Sequence, residues 1–134
     1  MALEMVLNSQ DLEIDVMKKL LNKNEVPEWF NYSPGFLRIV DQKLLDFDPW
    51  IILVGDQLRT RYDGIKDRYP DRDLIPFARR EDCDDVACWD FKFRDKVVVI
   101  HDFSSSGFEG RDIYDSFWDW LRSALEETID YEGD

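Results

Sequence analysis

Apolar positions recur at helical spacing near both ends of the chain. In residues 9–24, Leu12, Val16 and Leu20 follow one another every four residues, and charged side chains occupy the other faces. This spacing predicts an amphipathic helix. Near the other end, a second apolar face is formed by Ile113, Phe117, Trp120, Leu121, Ala124, Leu125 and Thr128. It predicts a C-terminal helix for which Asp112 is the candidate N-cap.

Short apolar runs in the middle of the chain predict strands. They cover residues 50–54, 74–79, 86–93 and 96–103. The first run is continuous and rich in β-branched residues, which is typical of a strand buried on both faces. Pro76 places the second run at a sheet edge or at the start of its strand, because proline cannot donate to a neighbour. Arg94 and Asp95 join the last two runs tightly, as in a hairpin.

Two segments between these runs lack a regular apolar pattern. Residues 57–73 are dominated by charge and predict a loop with at most one helical turn. Residues 104–110 are rich in serine and glycine and predict a flexible connector. Because helices flank a run of strands, we expect an α+β fold: a twisted antiparallel sheet of about four or more strands, with N-terminal and C-terminal helices packed against one face. Without repeats or linkers, residues 1–134 form a single domain.

Composition makes this a folded protein with a strongly acidic surface. Apolar residues are 44% of the chain and aromatic residues 14%, too many for a disordered segment. The net charge of −13 disfavours binding to nucleic acid or to anionic membranes and favours encounter with a basic protein partner. The same charge would also serve solubility alone. There is no secretory signal or membrane span, and Cys83 and Cys88 suit reduced thiols, so we expect a cytoplasmic protein.

Candidate nucleophiles in the sequence are placed unfavourably. His101, Asp102 and residues 104–106, all serines, are neighbours, but adjacent side chains on a strand point to opposite faces. His101 and Asp102 therefore cannot form a relay. Cys88 could approach His101 across neighbouring strands, although the acidic surroundings disfavour a thiolate there. We assign no catalytic residue and expect a protein without enzymatic activity.

Candidate metal and anion sites also lack the required residue spacing. Asp82, Asp84 and Asp85 form an acidic turn, but the sixth and twelfth positions counted from Asp82 lack the glycine and glutamate of a calcium loop. One histidine and two cysteines do not make a zinc site. Acidic residues surround the loop at residues 104–110 and would repel a phosphate. We expect no metal and no cofactor.

Several segments together resemble the SUKH superfamily, which includes bacterial toxin-immunity proteins and fungal cell-wall assembly regulators. They are residues 48–52 (DPWII), 74–79 (LIPFAR) and 84–90 (DDVACWD), followed by residues 97–103 and 114–121 (YDSFWDWL). The resemblance covers about residues 48–125. It implies an α+β fold, no cofactor and no catalytic set. Prokaryotic members often neutralise a cognate toxin, commonly a nuclease, by direct binding.

These observations predict a non-catalytic protein-binding domain. The leading hypothesis is an immunity protein that binds a basic toxin domain, and the alternative is a housekeeping regulatory or scaffolding module without a toxin partner. The predicted partner-binding residues are Glu81, Asp82, Asp84, Asp85, Trp89 and Asp90. Trp118, like Trp89, would be an interface anchor if it were exposed beside acidic residues. The sequence leaves the toxin and the oligomeric state open.

Overall fold

The computed structural model describes residues 18–131. Most of the helix predicted at residues 9–24 therefore lies outside the described residues. Lys18 and Lys19 are helical, and the helix ends there rather than at Asn24. The backbone N–H of Asn24 donates to the Asn22 side chain, and Glu25 N–H donates to the Asn22 carbonyl. Asparagine side chains compete with helical backbone hydrogen bonds in this way, which explains the earlier end.

Three helices and six strands follow along the described chain. The helices are α1 (Pro34–Asp41), α2 (Gly55–Arg68) and α3 (Phe117–Tyr131). The strands are β1 (Asp46–Phe47), β2 (Trp50–Ile52), β3 (Leu74–Arg80), β4 (Asp85–Asp90), β5 (Val97–His101) and β6 (Gly110–Tyr114). A 3₁₀ turn at Phe91–Phe93 lies between β4 and β5. No helix within residues 18–131 is both long and apolar enough to cross a membrane.

The strands form one antiparallel sheet in which each strand pairs with its neighbour in sequence. Its order is β1-β2-β3-β4-β5-β6. The predicted α+β class, with helices packed on an antiparallel sheet, is confirmed. Pro76 lies in the interior strand β3. The register of β3 with β4 shifts between Pro76 and Ala78, and the pairing of β3 with β2 reaches only as far as Ala78. Such an irregularity accommodates a residue that lacks a backbone donor.

Helices cover both faces of the sheet, whereas the sequence predicted helices on one face. Alternate residues of β4 and β5 point to opposite sides. On one side Trp89 and Val97 belong to the larger core, which includes residues of α1 and α3 and also Leu58 and Tyr62 of α2. On the other side a smaller core joins Ile65 of α2 to Val86, Cys88, Val98 and Ile100.

Helix α2 contradicts the loop predicted for residues 57–73. Its buried residues are Leu58, Tyr62 and Ile65, and Tyr69, also buried, follows the helix. These positions are spaced by four, three and four residues, which is one helical face. The face is narrow, and charged residues between these positions hide it in the sequence.

Two other predictions are corrected near the C-terminal helix. Asp112 does not cap α3, because it lies in β6, a strand missed in the sequence. The N-cap role belongs to Ser116, whose hydroxyl accepts from the Asp119 backbone N–H at 3.1 Å. Ile113, assigned to the apolar face of that helix, is likewise in β6 and exposed.

Two arginines of α2 bind a single carboxylate at the end of β5. Asp102 is 1% exposed and receives hydrogen bonds on both side-chain oxygens. Arg68 Nε lies 2.7 Å from Oδ1 and Arg68 Nη2 lies 2.6 Å from Oδ2. Arg61 Nη1 lies 2.9 Å from Oδ2. The helix is therefore fixed to the sheet by a buried carboxylate as well as by its narrow apolar face.

We expect Asp102→Asn to destabilise the fold by about 2–4 kcal/mol. The amide would present a donor to two guanidinium groups, and removing one partner of a buried pair leaves its charges uncompensated. The arginines keep some access to water, which moderates the cost. Thermal unfolding should occur about 6–12 °C lower. The control is Asp63→Asn, at an exposed carboxylate paired only with Lys66 on the same helix. Equal melting temperatures for the two variants would contradict this role of Asp102.

Candidate functional site

The predicted partner-binding residues divide between the two ends of β4. Glu81, Asp82 and Asp84 are exposed in the turn between β3 and β4, and Asp85 is half-buried at the start of β4. Trp89 and Asp90 lie at the other end of the strand, about 16 Å away at the rise of an extended chain. The six residues therefore do not form one continuous surface.

Trp89 and Asp90 are buried, so the prediction of partner contacts at these two positions is wrong. Trp89 is 5% exposed, and its ring centroid lies 4.4 Å from that of Phe77 and 5.0 Å from that of Phe36. Asp90 is 4% exposed and accepts from Arg72 Nη2 at 2.8 Å and from the Lys92 backbone N–H at 3.0 Å. Both side chains stabilise the domain from within.

Arg80 connects the acidic turn to the C-terminal helix. Its Nε and Nη2 donate to Asp82 at 2.8 Å and 2.9 Å, and its Nη1 donates to Glu127 of α3. Asp130 follows Glu127 by three residues and lies on the same side of the helix. We call this region the acidic surface and define it as Glu81, Asp82, Asp84, Asp85, Glu127 and Asp130.

Half of the six carboxylates on the acidic surface form an ion pair within residues 18–131. Glu81 and Asp84 form no ion pair within residues 18–131. Asp85 lies 2.7 Å from His101 Nδ1 and 3.7 Å from Arg111 Nε. Hydrogen bonds from Arg80 lower the pKa of Asp82 against the opposing effect of burial, so its carboxylate stays charged. The turn is tied to the body by the Glu81 N–H, which donates to the Pro49 carbonyl at 2.8 Å.

The candidate catalytic pairs of the sequence are not assembled. His101 contacts Asp85, while Asp102 faces α2 on the other side of the sheet. Cys88 is opposite Val98 in the pairing of β4 with β5, whereas His101 is opposite Asp85. Cys88 is fully buried, and burial raises the pKa of its thiol far above the ordinary value. Within residues 18–131, no three histidine, cysteine or carboxylate side chains converge to hold a metal ion.

An aromatic groove lies at the end of the sheet away from the acidic turn. It has a volume of about 650 Å³, and its aromatic lining includes Trp29, Tyr32 and Trp118. Trp118 is 43% exposed, so it meets the first condition set above for an interface anchor, which is exposure. A Cβ on Gly35 would lie 2.5 Å from the Trp118 ring. Only glycine at this position therefore allows the indole to pack where it does.

A third feature, the arginine pocket, opens beside α2 on the face opposite α3. It has a volume of about 420 Å³ and is lined by Leu53, Asp56, Gln57, Thr60, Arg61, Arg68, Arg79 and Phe103. This pocket was not predicted from the sequence, because residues 57–73 were expected to form a loop. An Arg61–Arg68 pair seven residues apart on one helix is the signal that could have found it, since such residues share a face.

Two buried carboxylates of the domain, Asp102 and Glu109, have lowered pKa values. Burial alone would raise the pKa of Asp102, but hydrogen bonds from Arg68, Arg61 and the Phe103 N–H outweigh burial. Glu109 is also buried, yet the N–H groups of Gly107 and Glu109 and the Arg72 guanidinium lower its pKa. Both carboxylates are therefore charged in the folded protein at neutral pH.

These shifts predict that the fold loses stability in acid. Each carboxyl group has a lower pKa when folded than its ordinary value of 3.8 for Asp102 or 4.5 for Glu109. Their contribution is thus complete above about pH 4.5 and is lost as the pH falls through the folded values. Urea unfolding of the wild type and of Asp102→Asn, at pH 7 and at pH 3, measures this directly. The difference in unfolding free energy should shrink at pH 3, and a constant difference would contradict the prediction.

The comparisons with known proteins add no relative to this geometry. No protein-family model, no curated protein and no solved structure matches the chain. The acidic surface, the aromatic groove and the arginine pocket are therefore interpreted from their own residues.

Proposed function

We propose that this domain is a non-catalytic binding protein whose acidic surface docks a basic protein partner. The observation that carries the proposal is the position of Arg80, which holds carboxylates of the turn and of α3 beside one another. Acidic side chains outnumber the arginines there, and Glu81 and Asp84 are exposed. A basic surface would supply the missing counter-charges.

The acidic surface is fixed to a rigid body, which favours specific docking. The β3–β4 turn is short, and both strands have a paired neighbour on each side where they meet the turn. Asp82, Asp85 and Glu127 are held by ion pairs, so these carboxylates lose little conformational freedom on binding. Complementary charge also steers encounter, so association should be fast at low salt and should slow as salt screens the surface.

The more specific proposal is an immunity function. The resemblance of residues 48–125 to the SUKH superfamily supports it, because prokaryotic members of that group often neutralise toxins by direct binding. A basic toxin domain, such as a nuclease whose own substrate is anionic, would match the charge of the acidic surface. In this proposal the domain neutralises the toxin by direct binding and carries out no reaction.

The aromatic groove favours a second candidate, a regulatory or scaffolding module without a toxin partner. Trp118 and Trp29 lie far from the acidic turn, at the other end of β4. Tryptophan is enriched among residues that dominate binding energy at interfaces. A partner held in the groove would leave the acidic surface free.

Charge reversal at the turn tests the proposed docking surface. We expect Glu81→Lys combined with Asp84→Lys to slow association with the partner captured from the native source by about tenfold or more at low salt. The rate should also depend less on salt. Neither side chain forms an ion pair within the described chain, so the fold should be retained.

The matched control combines Asp67→Lys with Asp71→Lys, which changes the net charge equally on exposed residues elsewhere. Its association rate should stay within about threefold of the wild type, since only the distributed field changes. Equal slowing in both double variants would refute a localised surface. Growth arrest by the captured partner alone, relieved by co-expression of this chain, would separate the immunity function from the module without a toxin.

A further inference from the structure

The arginine pocket concentrates positive charge on a protein with a net charge of −13. Arg61 and Arg68 share the single carboxylate of Asp102, which leaves one positive charge in excess. Arg79 adds another, and no ion pair involves it within residues 18–131. The only acid among the lining residues is Asp56. The balance is positive on the face of a molecule that is otherwise strongly acidic.

Hydrogen-bond donors remain available in the pocket. Arg79 donates only a long contact of 3.5 Å, from Nη1 to the Arg80 carbonyl. Arg61 uses only Nη1 for Asp102, so its Nε and Nη2 are uncommitted among the described contacts. Guanidinium groups with free edges bind phosphate and carboxylate oxygens in pairs. Two such groups therefore line one cavity.

The start of α2 adds to the same cavity. The lining includes Asp56, Gln57 and Thr60 from its first turns. The N-cap residue is Val54, which has no side-chain group to accept from the first N–H groups of the helix. The positive end of the helix dipole therefore has no side-chain cap at the pocket, and the carboxylate of Asp56 in the first turn offsets part of its charge.

Phe103 forms part of the wall in a conformation that costs energy. Its φ is +66°, a region that residues with a Cβ rarely adopt, and the residue is 62% exposed. The ring lies 4.1 Å from the Arg68 guanidinium carbon, measured to the ring centroid. The Phe103 N–H also donates to Asp102 Oδ1 at 2.8 Å. Strained residues of this kind cluster at binding sites.

From these observations we propose that the arginine pocket binds the phosphate group of a small phosphate ester. A dianionic phosphate offers more oxygens and more charge than a carboxylate, which suits the positive excess of Arg61, Arg68 and Arg79. The volume of about 420 Å³ lies within the range of small-molecule sites and is too small for a folded partner. The site is separate from the acidic surface, so either proposal can fail without the other.

The test is a calorimetric titration of the full chain with inorganic phosphate, adenosine 5′-monophosphate and acetate at constant ionic strength. We expect saturable binding of at least one phosphate probe and none of acetate. Arg79→Gln should weaken binding by about tenfold or more, because a charge-assisted hydrogen bond is lost. Arg79 is outside the Asp102 ion pairs, so this variant should fold.

The control is Arg122→Gln, at an exposed arginine of α3 that contacts only Asp119. It should bind the phosphate probes within about twofold of the wild type. Amide chemical shifts of Gln57, Thr60 and Phe103 should move on titration. Absence of phosphate binding, equal weakening in the two variants, or acetate binding as tight as phosphate would overturn the proposal.

Discussion

The carboxylate of Asp102 is the constraint on which one whole face of this domain depends. Helix α2 has a narrow apolar face that buries Leu58 and Tyr62 in the larger core and Ile65 in the smaller one. Two guanidinium groups on one buried carboxylate add a polar attachment and fix the rotation of the helix, because Arg61 and Arg68 must both reach the same side chain. Charge-assisted hydrogen bonds of this geometry are among the strongest in proteins, and they are costly to leave half made.

Ion pairs between arginine and carboxylate underlie both charged features of the surface, but the ratio of arginines to carboxylates is opposite at the two places. At Asp102 two arginines meet one carboxylate, and the arginine pocket is positive. At Arg80 one arginine meets Asp82 and Glu127, and the acidic surface is negative. The net charge of −13 is therefore unevenly distributed over the domain. Folding concentrates each excess in a different part of the surface, which average composition could not reveal.

The sequence was informative where a single pattern decides the structure. Apolar runs at residues 74–79 and 86–93 predicted strands, and the α+β class followed from their order. Helix α2 was missed because charged residues separate the few positions of its narrow apolar face, and because its ion pairs to Asp102 join residues distant in sequence. Strand β6 was missed because four of its five residues are exposed at the sheet edge. Its sequence therefore lacks the alternation of apolar and polar residues that marks a half-buried strand. Trp89 and Asp90 were assigned to the surface because their burial depends on packing by residues remote in sequence.

The two charged features are also connected through the backbone. The Asp102 N–H donates to the carbonyl of Asp84, at 2.9 Å, so the residue that fixes α2 also holds the acidic turn. The Asp102 side chain points to α2 and the pocket, while its backbone N–H is bonded to the turn between β3 and β4. A change in the arginine pairing that shifts the Asp102 backbone must therefore be accommodated by the turn. Because the sheet is tightly packed on both faces, neighbouring residues cannot easily absorb such a shift. The pocket and the acidic surface are therefore both attached to the same rigid segment, which contains Asp102.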